Sequence, residues 1–294
     1  MSQLGAWVEG ARLRTLPAAV APVFAGAGAA WWAGGFDLGK ALLCAVVALA
    51  LQVGVNFAND YSDGIRGTDD ERRVGPQRLV GSGAASPRVV KLAAFGCFAL
   101  AGLAGLGLTW WTGHWWLLGV GAVAILAAWF YTGGPKPYGY LGLGEVFVFI
   151  FFGLVAVNGT TFVMIDRISW PSWWASIAIG SFACAILVAN NLRDIVGDRQ
   201  VGKHTLATRL GDRGTRFFFI GLLVIAAGGV VAVALSSTVW ALFGLFFVPV
   251  VLGPVRALAR GADGLALIAV LKATGIAELV CGLGLFLGFV IGAA

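Results

Sequence analysis

The chain has 294 residues; 59% are hydrophobic, only 12% are charged, and the net charge is +6. The mean hydropathy is +0.89. A soluble domain carries about twice that charged fraction, so a soluble enzyme is excluded. The chain reads as one all-α integral membrane domain over residues 1–294, with membrane lipid around it and no nucleic-acid partner.

A spanning helix needs roughly 20 mostly apolar residues. Nine such runs are predicted in chain order, at 15–34, 38–58, 89–111, 115–132, 143–165, 172–192, 215–235, 238–258 and 265–291. The connectors inside 89–132 and 215–258 are short and predict two helical hairpins. Before the first run, Arg12 and Arg14 followed by apolar residues imitate a signal peptide. That run is longer than a signal core and holds Pro17 and Pro22, so it reads as a span. Arg12 and Arg14 either anchor the helix or help neutralise an anionic substrate.

Basic residues set the expected orientation. With the N-terminus in the cytoplasm, only Lys40 and Arg167 fall on the opposite side and Lys272 falls inside the last span. The other seventeen of the 20 Lys and Arg residues are cytoplasmic. Tryptophans such as Trp31, Trp110, Trp115, Trp170 and Trp240 gather at the outer ends as an interfacial belt. The expected topology is therefore N-in and C-out. The four cysteines lie within spans, show no metal-ligand spacing and read as packing residues.

After the second run comes NFANDYSDGIRGTDDERRVGPQR, residues 56–78. Asn56 and Asp60 are four apart and share a helical face, which Asp63 continues one turn later. Gly64, Gly67, Gly75 and Pro76 are expected to end the helix and begin a structured loop. Carboxylates at a membrane face are costly unless a cation joins them. Oxygen-rich clusters suit Mg²⁺, which takes one or two carboxylates plus substrate phosphates. Asp60, Asp63 and Asp69 are the candidate Mg²⁺ ligands here. Asn56, Asn59, Arg72 and Arg78 are candidate substrate contacts, the arginines for phosphate.

The segment YTGGPKPYGYLGLGE, residues 131–145, holds two prolines and five glycines and predicts a shaped loop. Lys136 is a candidate phosphate contact; Tyr131 and Tyr138 are candidates to stack on an aromatic substrate. Tyr140 is as readily an interfacial anchor. Glu145 is expected to pair with a base of the loop. At the end of the sixth run, NNLRDIVGDRQVGKHTLATR, residues 190–209, echoes the first motif. Asn190 and Asp194 are again four apart and Asp198 follows. Asp194 and Asp198 complete the metal candidates, with Asn190 and Lys203 on substrate. Both acidic motifs are expected on cytoplasmic loops. Glu278 and Lys272, in the last run, have no assigned role.

Together RLRTLPAAVAPV, NDYSDGIRGTDDERRVGPQR, YTGGPKPYGYLGLGE and NNLRDIVGDRQVGKHTLATRLG resemble the UbiA-type intramembrane prenyltransferases. Gly67, Asp69 and Gly75-Pro76 after the first two aspartates resemble the branch acting on 1,4-dihydroxy-2-naphthoate. The resemblance implies a multi-pass enzyme of the inner or plasma membrane with its site facing the cytoplasm. It implies Mg²⁺, a polyprenyl diphosphate and 1,4-dihydroxy-2-naphthoate as partners. The implied reaction is prenyl transfer with loss of diphosphate and CO₂ in menaquinone synthesis, with Asp60, Asp63, Asp194 and Asp198 in the catalytic centre. Homo-oligomerisation stays open. Two alternatives remain: a cation transporter built from two half-motifs, and the same chemistry on 4-hydroxybenzoate, haem or a chlorophyll precursor.

Overall fold

The computed structural model describes residues 3–67 and 78–294. Its elements are helical: α1 (Gln3–Gly10), α2 (Pro17–Trp32), α3 (Leu38–Arg66), α4 (Pro87–Thr112), α5 (Leu117–Phe130), α6 (Gly144–Val148), α7 (Ala156–Ile165), α8 (Trp170–Gln200), α9 (Leu206–Ser236), α10 (Phe247–Ala259) and α11 (Ala266–Ala293). A π turn, Phe149–Val155, joins α6 to α7, and a 3₁₀ helix, Val239–Phe246, leads into α10.

Among the described residues, seven helices are long and apolar enough to cross a membrane. The segments 3–15 and 17–32 are bent by 44° and make an eighth if taken as one span. The run expected at 115–132 is α5, of 14 residues, short of the roughly 20 that a straight crossing needs.

α8 is the central helix: 78% of its most apolar stretch is buried, and it packs on α2, α9, α11 and the π turn. Its Ala, Gly and Ser residues let neighbours approach closely, as is common between membrane helices. At Gly180 a β-carbon would stand 3.0 Å from the Cα of Gly153, and one at Gly153 would stand 2.7 Å from the Cα of Gly180. α8 starts with a reciprocal cap between Ser169 and Ser172, satisfying amides that the helix itself cannot. α3 packs along α4 on the other side of the bundle. α5 is lightly held; of its residues only Ala127 is buried.

Two expectations about the motifs change. Gly64 does not end α3, which continues to Arg66 and stops at Gly67 with φ 68°, a left-handed cap that glycine adopts readily. Gly64 instead makes room for Val80, whose side chain would stand 2.4 Å from a β-carbon there. α8 likewise runs past Asn190 to Gln200. Asp60, Asp63, Asp194 and Asp198 therefore sit on helices, not on loops. The fourfold spacing that relates the aspartates to their asparagines is a helical repeat, and the helix simply persists through it.

Candidate active site

α3 and α8 bring the two motifs to one cavity of about 910 Å³. Its polar end is lined by Asn56, Asn59, Asp63, Arg78, Tyr131, Tyr138, Tyr140, Asn190, Arg193, Asp194, Asp198 and Lys203. Its remainder is apolar and runs between α3, α4, α5 and α7, past Leu51, Ala101, Ile125, Val155 and Val163. A smaller pocket of about 40 Å³ adjoins it, lined by Glu9, Arg12, Arg14, Asp60, Arg78, Asn190 and Arg193 among others. Arg12, Thr15, Arg78, Asn190, Arg193 and Leu271 line both.

Asp60 is fully buried. Its Oδ2 accepts a hydrogen bond from the Leu79 backbone N–H at 2.9 Å, and its Oδ1 stands 3.3 Å from an Arg78 guanidinium nitrogen. It thus ties the chain just after the acidic motif onto α3, at the wall of the small pocket. Asp63, one turn on, faces the large cavity. Its Oδ1 accepts from the Tyr140 hydroxyl at 2.6 Å and lies 3.3 Å from Lys203 Nζ. Lys203 also stands 4.4 Å from the Tyr140 ring centre, and the Arg66 guanidinium 5.4 Å from it. Tyr140 is therefore part of the site, where the sequence offered an anchor equally well. No local spacing marks it, because its partner on α3 is 77 positions away.

The electrostatics of this corner are consistent. Burial first, then the charge of Asp63, push the Tyr140 phenol up against the pull of Lys203. Tyr140 stays protonated and donates. For Lys203 burial pulls downward, but Asp63, Tyr140 and Asp198 outweigh it and the ammonium is held up.

On α8, Arg193 donates to both carboxylate oxygens of Asp194 at 2.7 and 2.6 Å, and to Asn190 Oδ1 at 2.9 Å. This bidentate pairing fixes the carboxylate plane. Asn56 is drawn toward the N-terminal segment: its amide donates to Ala11 O at 3.0 Å and to Thr15 Oγ1 at 3.1 Å. Asn59 Oδ1 accepts from Thr132 Oγ1 at 2.7 Å, joining α3 to the 131–145 segment. Tyr138 stacks on Phe147 with ring centres 4.1 Å apart and donates to Ala127 O at 2.8 Å.

Some expected residues are elsewhere. Lys136 is exposed and does not line the cavity; Pro135 beside it is exposed as well, while Pro137 is buried. Asp69 and Arg72 lie outside the described residues. Glu145 does not meet a loop base. It is buried, and its Oε1 accepts from Asn191 Nδ2 at 3.0 Å, since α6 starts beside α8 and Lys136 is exposed. Glu278 is fully buried, and among the described residues neither carboxylate oxygen has a hydrogen-bond partner.

Among the described residues no three acidic, cysteine or histidine groups cluster as a closed metal site. The donor set still fits Mg²⁺, which dehydrates reluctantly and takes one or two carboxylates with substrate phosphates. Asp63, Asp194 and Asp198 line one cavity as hard oxygen donors, and Asp60 lines its neighbour.

Residues 19–269 match the UbiA prenyltransferase family. A Mycobacterium tuberculosis protein named 1,4-dihydroxy-2-naphthoate octaprenyltransferase is 52% identical over 286 residues, 96% of each chain. An Escherichia coli protein of the same name is 35% identical over 298 residues, covering 98% of this chain and 96% of that one. Among solved structures, the apo form of a UbiA homolog from Aeropyrum pernix K1 superposes with a TM-score of 0.70 at 18% identity, covering 93% of this chain and 97% of the other. A homolog from Archaeoglobus fulgidus, bound to DMAPP and Mg²⁺, gives 0.57 at 14% identity, covering 91% and 98%. These structures share the fold. With the family match over most of its length and relatives alike from end to end, this chain belongs to the UbiA prenyltransferase family.

Proposed function

We propose that the protein transfers a polyprenyl group from polyprenyl diphosphate to 1,4-dihydroxy-2-naphthoate, releasing diphosphate and CO₂ and yielding demethylmenaquinol. One observation carries this reading: a single cavity with charged groups of both motifs at one end and an apolar limb behind them. That shape fits a diphosphate attached to an isoprenoid. The two relatives described above, alike over almost their whole length, bear the name of this activity.

The chain's residues divide the work. Lys203, Arg78 and Arg193 line the polar end as donors for diphosphate oxygens. Negative charge grows on that diphosphate as the allylic C–O bond breaks, and pre-aimed cations stabilise it at little reorganisation cost. Asp60, Asp63, Asp194 and Asp198 are the residues that would hold Mg²⁺, with Asp69 a further candidate. Bound there, the ion supplies charge neutralisation of the leaving diphosphate. Tyr131 and Tyr138 stand at the junction of the polar and apolar parts, where the allylic carbon and the acceptor ring meet. The ring carbon bearing the carboxylate forms the new C–C bond, and CO₂ then leaves with its bond pair returned to the ring. Arg12 and Arg14, in the adjoining pocket, suit the acceptor's carboxylate. The apolar walls keep water from the cation.

The topology proposed with this function is nine spans in one domain over 1–294. It counts the bent 3–32 pair and α5, and places the N-terminus and the catalytic mouth on the cytoplasmic side of the inner or plasma membrane. The seventeen basic residues on that side support it. The test is product formation by protein in nanodiscs supplied with a prenyl diphosphate, Mg²⁺ and either 1,4-dihydroxy-2-naphthoate or 4-hydroxybenzoate. The expected product is a prenylated naphthoquinone lacking the carboxylate, and EDTA abolishes it. Product from 4-hydroxybenzoate alone would overturn the acceptor.

A further inference from the structure

Tyr140 reaches the cavity from a 3₁₀ turn, Tyr138–Leu141, that ends at Gly142 with φ 75°. There the 131–145 segment meets the chain that follows α8. The His204 backbone N–H donates to Tyr140 O at 2.9 Å. Arg209 donates from its guanidinium to Leu141 O, also at 2.9 Å. Gly142 makes room for both partners: a β-carbon on it would stand 3.0 Å from His204 O and 3.3 Å from Arg209 Nε. Its left-handed backbone also suits glycine. Arg209 itself is exposed and does not line the cavity.

Arg209 acts from a fixed base. It belongs to the first turn of α9, which breaks just beyond it at Gly211, with φ 71°. Thr205 caps this turn by accepting from the Thr208 N–H at 3.3 Å, which satisfies an amide the helix leaves open. Arg199 of α8 donates to Thr208 O at 3.1 Å. Thr215, past the break, donates to Gly211 O at 2.6 Å and to Ala207 O at 3.3 Å. Thr205 and Ala207 are buried. Residues 203–209 thus act on Asp63 twice. Lys203 Nζ stands 3.3 Å from its Oδ1 directly, and Arg209 holds the turn whose Tyr140 hydroxyl donates to the same oxygen at 2.6 Å. A hydrogen bond weakens steeply as its distance and angle drift, so the backbone that carries Tyr140 has to be held in place. Its proline- and glycine-rich segment has no long helix to hold it, and ties to neighbouring elements do so instead.

We propose that Arg209 is a positioning residue for prenyl transfer: by holding the Leu141 carbonyl from outside the cavity, it keeps the Tyr140 hydroxyl on Asp63. The proposal rests on the prenyl-transfer reading. Arg209 acts through Tyr140 and touches no substrate, so its effect on the reaction exists only while the Tyr140 hydroxyl is present.

The experiment is a double-mutant cycle in nanodiscs. It measures kcat/KM for Arg209→Gln, Tyr140→Phe and the two combined, and follows hydrogen exchange of the His204 amide in each. Arg209→Gln is expected to lower kcat/KM by about two- to tenfold, the span of one hydrogen bond's net contribution. It should also speed exchange at His204 and melt near wild type. Arg209→Lys keeps a donor and should recover most of the loss. In the Tyr140→Phe background Arg209→Gln should cost nothing further, since coupled residues are not additive. Arg213→Gln is the control: Arg213 is exposed, its guanidinium lies 5.7 Å from the Phe217 ring centre, and it does not line the cavity. It should match wild type in both readouts. Fully additive losses, wild-type kinetics in Arg209→Gln, an equal loss in Arg213→Gln, or a loss explained by a large drop in melting temperature would each overturn the proposal while leaving prenyl transfer in place. Wild-type protein without prenyl transfer would overturn the role together with the reading beneath it, and the exchange data would then report a structural tie alone.

Discussion

At the scale of the residue, the site depends on a few groups held by partners far away in the chain. Asp63 faces the cavity and accepts from Tyr140 and Lys203. Asp63→Ala is expected to lower prenyl transfer by roughly 100-fold or more, on the scale of losing one preorganised electrostatic group. Steady-state rates with thermal melting as a fold check measure it. Tyr140→Phe removes one hydrogen bond to a charged group, which contributes about 1.5–3 kcal/mol. It should lower activity roughly tenfold and leave the fold intact. Glu145 and Asn191 form a buried pair. Glu145→Gln keeps an acceptor for the Asn191 amide and should melt near wild type. Glu145→Leu strands that amide and should cost about 1–3 kcal/mol; equal melting of the two variants would refute the pairing. Lys203 has its own pH signature. Its folded value is raised, so its contribution is complete below the ordinary lysine value and is lost only as pH rises through the raised one. Between about pH 6 and pH 9 its charge is therefore constant. An activity limb in that range that disappears in Lys203→Met would contradict this.

At the scale of the element, the helices follow from apolar length and the motifs from helical repeat. The Asn-x-x-x-Asp echo was legible because a period of 3.6 puts both groups on one face wherever the helix continues. Gly64 misled because a glycine inside a helix can serve packing as well as termination, and Val80 against it lies 16 positions away. The same limit hid the roles of Glu145, Tyr140 and Asn56. Their partners come from other helices, and nothing in local spacing encodes a long-range hydrogen bond. The charge of Lys136 and its proline-rich turn suit a phosphate contact, but neither says which way the turn faces. The close crossing of α8 and the π turn gives a test at this scale. Gly180→Val places a side chain where Gly153 Cα stands 3.0 Å from the β-carbon. Overpacking of that kind costs about 1–3 kcal/mol, and a clear drop in melting temperature in detergent is expected. The same substitution at Gly228, which faces open space, should leave the melting temperature unchanged.

At the scale of the whole molecule, composition alone excluded a soluble protein, because 12% charged residues cannot cover a soluble surface. The same scarcity made each charge informative, and two charged stretches, 131 positions apart from Asp63 to Asp194, meet at one cavity. The asymmetry of basic residues gives an orientation to test. A cysteine introduced at Arg199 should react with a membrane-impermeant thiol reagent only from the cytoplasmic side, and one at Arg167 only from the other. Labelling in the reverse sense would invert the topology. The central claim is that this one cavity couples prenyl transfer to loss of the acceptor's carboxylate. The most direct measurement feeds 1,4-dihydroxy-2-naphthoate labelled with ¹³C in its carboxylate, together with prenyl diphosphate and Mg²⁺, and follows CO₂ and quinol product together. The account predicts that label leaves as CO₂ in equal amount to product formed, and that both stop with EDTA and in Asp63→Ala. A prenylated product that keeps the label, or one that forms undiminished without Mg²⁺, would contradict it.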